Sequence, residues 1–144
     1  MKAQLLKIIH DSRQYTLSVA EALSQKDYGT SMAKGTMSFG ELMNHIAYGI
    51  HWWETSFVNG KEIEWSPPAA KSSKKEVIAL LSGAFDSLEK SVQKGTDQDQ
   101  LLVAVWATLD HVTHHRGQAV VHLRKHGIAP PEYVGVSVSQ QLSV

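Results

Sequence analysis

Apolar residues recur along most of the chain at steps of three and four, the spacing that lines one face of an α-helix. From Ala3 to about Lys26 they are Leu5, Ile8, Ile9, Leu17, Val19, Ala20 and Leu23, and Tyr28, Gly29 and Thr30 close the segment. Ser38 announces a second helix, because its hydroxyl can cap the amide of Glu41 while Glu41 reaches back; Gly60 supplies the stop. Between them Leu42, Met43, Ile46, Ile50, Trp53 and Phe57 form a face broad enough for burial against two neighbours. The linker from Lys61 to Ser72 contains Pro67-Pro68 and predicts irregular backbone.

Ser73 with Glu76 opens a third helix in the same way, carrying Val77, Leu80, Leu81, Ala84, Phe85, Leu88 and Val92 to a stop at Gly95. The fourth begins between Thr96 and Gln100. It runs through Leu101, Val105, Leu109, Val112, Ala119, Val120 and Leu123 to Gly127, with Pro130-Pro131 beyond. Four amphipathic helices joined by modest linkers pack most simply as an all-α four-helix bundle, here residues 1–133. Residues 134–144 form a tail in which Val alternates with Gly and Ser, readable as a short edge strand or as disorder.

Composition narrows the chemistry. At 144 residues the chain fits one domain with a core large enough to need no staple. Lys and Arg number 14 against 14 Asp and Glu, so no net field recruits nucleic acid or an anionic membrane. The absence of cysteine removes disulfides, thiolate metal sites and an internal thiol nucleophile; any thiol chemistry needs an external thiol. No apolar stretch reaches the roughly 18 residues of a membrane span, so a soluble, cytoplasmic protein is expected.

Histidine is the unusual residue: there are eight, and His111, His114, His115 and His122 crowd the fourth helix. His111 and His115, four apart, sit about 40° apart around the axis and about 6 Å along it, so one ion can touch both rings. Neutral imidazoles suit zinc, nickel, iron and copper alike. Chance also produces such pairs, and spacing alone leaves both readings open. A third ligand must come from another helix. His45 is the best placed, beside the stripe of Leu42, Ile46 and Gly49, although periodicity equally fits a core histidine satisfied by one hydrogen bond. His122 lies about 16 Å along the axis from His111 and reads as a helix-end residue; His114 and His51 point about 100–120° away from their neighbours and read as surface or second-layer residues. His10 has no partner in sequence, and His126 suits a helix C-terminus.

The run Leu109-Asp110-His111-Val112-Thr113-His114-His115-Arg116-Gly117-Gln118, then Leu123-Arg124 and Gly127-Ile128-Ala129-Pro130-Pro131, resembles the C-terminal signature of the DinB-like four-helix bundles. Leu42-Met43-Asn44-His45-Ile46 matches the place of that family's first metal ligand. The resemblance implies a His45, His111 and His115 triad around one divalent ion (Zn, Ni, Fe or Mn) with open positions, and a homodimer. It also implies a thiol-dependent transferase that uses a low-molecular-weight thiol cosubstrate and a small-molecule electrophile. A hydrolase using water, or a bundle that merely binds metal, are the alternatives.

Five neighbours of these histidines carry further expectations. Glu41, one turn before His45, could orient that ring or act as a base, but its capping role already accounts for it. Gln118 is placed to support His115, and Arg116 to pair with an acid or to anchor an anionic substrate. Tyr48 and Trp52 flank the His45 face and either wall a pocket or belong to the core.

Overall fold

The computed structural model describes residues 1–133, and the expectation for the 134–144 tail lies outside them. Four helices carry the fold: α1 (Lys2–Ala22), α2 (Phe39–Trp53), α3 (Lys74–Lys94) and α4 (Gln98–Lys125). α1 and α2 occupy one diagonal of the bundle and α3 and α4 the other, so α2 is flanked by α3 on one side and α4 on the other. The apolar faces meet along the axis, where Ile9, Val19, Met43, Ile46, Phe85, Leu88, Val112 and Leu123 are all fully buried. Each such side chain contributes about 1.5–3 kcal/mol by leaving water, which is what holds the helices together.

The helix boundaries follow local chemistry where the signals are local. Ser38 Oγ accepts from Glu41 N at 3.2 Å, and Glu41 Oε2 accepts from Ser38 N at 2.7 Å, completing the capping box. At Ser73 the box is only half built. Its hydroxyl accepts from Glu76 N at 3.2 Å, but Glu76 Oε2 takes the Ser73 hydroxyl proton at 2.7 Å instead of the backbone N–H. Asp97 caps α4 by accepting from the amides of Asp99 and Gln100. At the far end Gly127, with φ 70°, lets Ile128 N reach Leu123 O at 2.9 Å and Gly127 N reach Arg124 O at 3.0 Å, the Schellman closure. Gly95 ends α3 differently. Its backbone is extended, and what position 95 requires is space, because a Cβ there would meet Leu101 Cδ2 at 2.8 Å.

Two elements depart from the periodic pattern. α1 stops at Ala22 rather than near Lys26, because Leu23 turns extended and is fully buried while Tyr28 folds back to donate its hydroxyl to Ala20 O at 2.6 Å. Burial of those two side chains outweighs another helical turn, and only a single 3₁₀ turn, Gln25–Asp27, lies between them. α2 likewise does not run regularly to Gly60. After Trp53 it widens into a π turn, Glu54–Val58, closed by Asn59 N to Glu54 O at 2.9 Å.

Residues 61–72 have no regular structure, yet they are pinned as a strap along the outer ridge of α2. Asn44 accepts from Lys71 N at 2.8 Å and donates to Lys71 O at 2.9 Å; Tyr48 Oη accepts from Ser66 N at 2.9 Å; Trp52 Nε1 donates to Ile63 O at 3.1 Å. Asn44, Tyr48 and Trp52 are one turn apart, so α2 offers the strap one anchor per turn. Among the described residues no helix is long and apolar enough to cross a membrane.

Candidate metal centre

The seam between α2 and α4 brings His45, His111 and His115 together, with one ligand-competent atom from each lying within 4.8 Å of the others. His45 Nε2 and His115 Nε2 face each other at 2.9 Å, and the His111 ring lies 4.6 Å from that of His115 and 5.1 Å from that of His45. His115 Nδ1 donates to Gln118 Oε1 at 2.9 Å, which leaves its Nε2 lone pair turned toward His45. Two ring nitrogens this close need either one proton or one cation between them. Metal–nitrogen bonds of about 2.0–2.1 Å place two adjacent ligand nitrogens about 3 Å apart, so the spacing suits an ion.

His111 supplies the second sign that a group is wanted here. Its Nε2 is buried and has no hydrogen-bond partner among the described residues. Its ring fits only because α2 has glycine opposite: a Cβ on Gly49 would lie 2.1 Å from His111 Nε2. Burial, then the neighbouring His115 and His45, lowers the His111 pKa to about 4, against a weaker upward pull from the main chain of His45. Burial and His115 lower that of His45 as well. Both rings are therefore neutral at physiological pH, the form that binds a metal. The residues fit an ion: nitrogen donors only, one orphaned, and space made by a missing side chain.

Around the triad the sequence expectations divide. Glu41 is spent in the capping box, as expected. Gln118 does support His115, while His114 and His51 are exposed. His126 caps the end of α4 with Nδ1 donating to His122 O at 2.9 Å. Tyr48 lines a cavity while anchoring the strap, and Trp52 anchors it too.

His122 lies in the last turn of α4, as expected, and is buried there: it is 3% exposed and packs edge-on against Phe39 at 5.8 Å, with Nδ1 unpartnered among the described residues. One expectation needs correction. Arg116 neither pairs with an acid nor faces a substrate. It is 5% exposed, its Nη1 donates to Ser12 O, Ser12 Oγ and Thr16 Oγ1, and its guanidinium covers the Tyr15 ring at 4.8 Å, tying α4 to α1. Position 116 falls on the α1 side of α4, where three hydroxyl and carbonyl oxygens replace a counter-ion.

Trp65, on the strap, was invisible to periodicity. Its ring lies 5.4 Å from His45, 6.2 Å from His111 and 4.8 Å from Tyr48, so it packs over two of the three histidines. The available signal was a lone aromatic in a polar, proline-containing linker.

The DinB family model matches residues 1–140. The chain belongs to the DinB family. Among solved structures it is similar to a DinB-like protein from Bacillus cereus, with TM-score 0.77 and 20% identity over 90% of this chain and 95% of that one. It is also similar to a DinB-like protein from Bacillus subtilis, with TM-score 0.72 and 19% identity over 92% and 98% of the two chains. At these identities the likeness carries the fold, an all-α bundle. No curated protein matches. For this DinB family member, then, the chemistry has to be argued from the site.

Proposed function

We propose that His45, His111 and His115 hold one divalent ion and that the protein is a metal-dependent transferase, joining a low-molecular-weight thiol to a small electrophile. The observation that carries the metal is the facing pair of ring nitrogens 2.9 Å apart, with a third, orphaned imidazole nitrogen in the same cluster. Among the described residues the cluster has three protein donors, the number found where an ion keeps a position open for chemistry; structural sites close with four. When bound, the ion supplies Lewis acidity that favours the ionised form of a thiol or of water.

The chain's own residues orient and shield. Gln118 fixes the tautomer of His115, and Trp65 limits the approach of solvent from the strap side. With no cysteine in the chain, the thiol has to arrive as a cosubstrate. Hydrolysis by metal-bound water is the alternative chemistry; Glu41, the carboxylate one turn before His45, is held through Oε2 by the Ser38 amide. Zinc, nickel, iron and manganese are all compatible, since selection among them follows supply as much as affinity.

The test is spectroscopic. Protein loaded with cobalt and given glutathione, bacillithiol or mycothiol should develop a sulfur-to-metal charge-transfer band in the near ultraviolet, which no residue of this chain can supply. The band should vanish in His45→Ala. His111→Ala and His115→Ala should lose tight metal binding, while His114→Ala and His122→Ala keep it. No band and no conjugation with any of these thiols would move the assignment to hydrolysis; undiminished metal in both His111→Ala and His115→Ala would remove the site.

A further inference from the structure

On the other side of α2 from the α4 seam lies a cavity of about 730 Å³, between α2, α3 and the strap. Pockets of this size hold small organic molecules. Pro67 and Pro68 of the strap and Leu80 and Ala84 of α3 give it apolar walls, and His45 stands at its edge, shared with the triad. Leu80 has the periodicity of a core residue but is 40% exposed, an apolar side chain left facing open space. The charges around the cavity are of one sign. Glu41 and Glu54 line it, and no lysine or arginine does.

Glu54 is the unusual group. It is 4% exposed, and Oε1 accepts from Ser87 Oγ at 2.8 Å and from Ser91 Oγ at 2.5 Å. Among the described residues Oε2 is buried with no hydrogen-bond partner. A buried carboxylate oxygen without a donor is costly. Glu54 opens the π turn that follows α2, a distortion that recurs at functional sites. What satisfies Oε2 best is a cationic donor, since charge-assisted hydrogen bonds are roughly twice as strong as neutral ones. Nine residues separate Glu54 from His45, about 13 Å along a helix, so an extended small molecule can address both.

We infer that this cavity binds the substrate, and that the substrate is an amine: a small molecule with an apolar middle, its ammonium on Glu54 and its reacting end at His45. That this ligand is the substrate rests on the metal-centre proposal; the ammonium subsite stands on Glu54 and the cavity alone.

The experiment titrates chelated full-length protein with n-hexylammonium, n-hexanol and hexanoate, following tryptophan fluorescence and calorimetric heat, with metal content of each variant measured separately. The ammonium should bind at least about tenfold more tightly than the carboxylate or the alcohol. Glu54→Gln should erase that margin while keeping its metal and its helical circular dichroism, and Glu41→Gln should retain the margin. Leu80→Trp, on an exposed face, should narrow the cavity and weaken binding of all three probes, a result independent of how Glu54→Gln folds. Equal affinity for ammonium and carboxylate would mean that trapped water serves Oε2, and would overturn the inference. So would a margin that survives Glu54→Gln, or ammonium binding untouched by Leu80→Trp. Because the titration uses chelated protein, failure of the histidines to hold metal leaves it unaffected, and failure of the subsite leaves the metal count unaffected.

Discussion

A methyl group at position 49 would take the space that the His111 ring occupies, 2.1 Å from Nε2. Glycine inside a helix ordinarily costs about 0.5–1 kcal/mol relative to alanine, so at an open position the exchange stabilises. Gly117 on α4 is such a position, with nothing within 4 Å of where the methyl would stand. Gly117→Ala should therefore raise the melting temperature, whereas Gly49→Ala should lower it and release the metal while leaving the helical signal intact. Gly49→Ala protein with full metal content would show that the ring can move aside freely. His122 gives a prediction in pH. Burial, then Lys125 and His126, holds its pKa below the ordinary 6.5, so in the native state it stays neutral where the unfolded chain is already protonated. The unfolded state binds more protons in that window, and stability must fall as pH drops from about 6.5 toward the depressed native value. His45 and His111 add to the effect in the metal-free protein, their pKa values being lowered as well. His122→Gln should flatten part of the slope of melting temperature against pH between neutral and mildly acidic conditions; an unchanged slope would mean that His122 does not titrate differently on folding.

The strap is the element whose behaviour depends most on single side chains. It has no ladder of its own, so the amide of Lys71 is protected by Asn44 and that of Ser66 by Tyr48. Asn44→Ala should cost about 1–2 kcal/mol, the loss of exchanging two good hydrogen bonds for solvent. It should also raise hydrogen exchange at Lys71 and shift the emission of Trp65, with the helical amides unchanged. Protection of Lys71 that persists in Asn44→Ala would show that the strap is held by its apolar contacts instead. Helix ends show why some boundaries were readable and others were not. Ser38, Asp97 and Gly127 act on amides and carbonyls within four residues, so their roles are written locally. The end of α1 depends on where Leu23 and Tyr28 are buried, and those partners come from elsewhere in the chain.

For the molecule as a whole, the core stands apart from the histidines: Ile9, Phe85, Leu88 and Leu123 are fully buried with no contribution from a metal. Chelated protein should keep its helical circular dichroism at room temperature and melt at a lower temperature, by the linkage between ion binding and the native state. Collapse of the signal on chelation would make the ion structural and undercut the catalytic proposal. The sequence by itself determined the four helices, most of their caps and the pairing of His111 with His115, because helical periodicity and capping act over three or four residues. It also placed Gln118 behind His115, one turn on. Only the tertiary structure decided that His45 meets that pair across the α2–α4 seam, that Gly49 clears room for His111, and that Trp65 packs over His45 and His111. It alone turned Arg116 toward α1 and left Glu54 half-satisfied beside a cavity. Those outcomes depend on which faces of separate helices come together, and a periodic pattern records that a face is buried without recording what it is buried against.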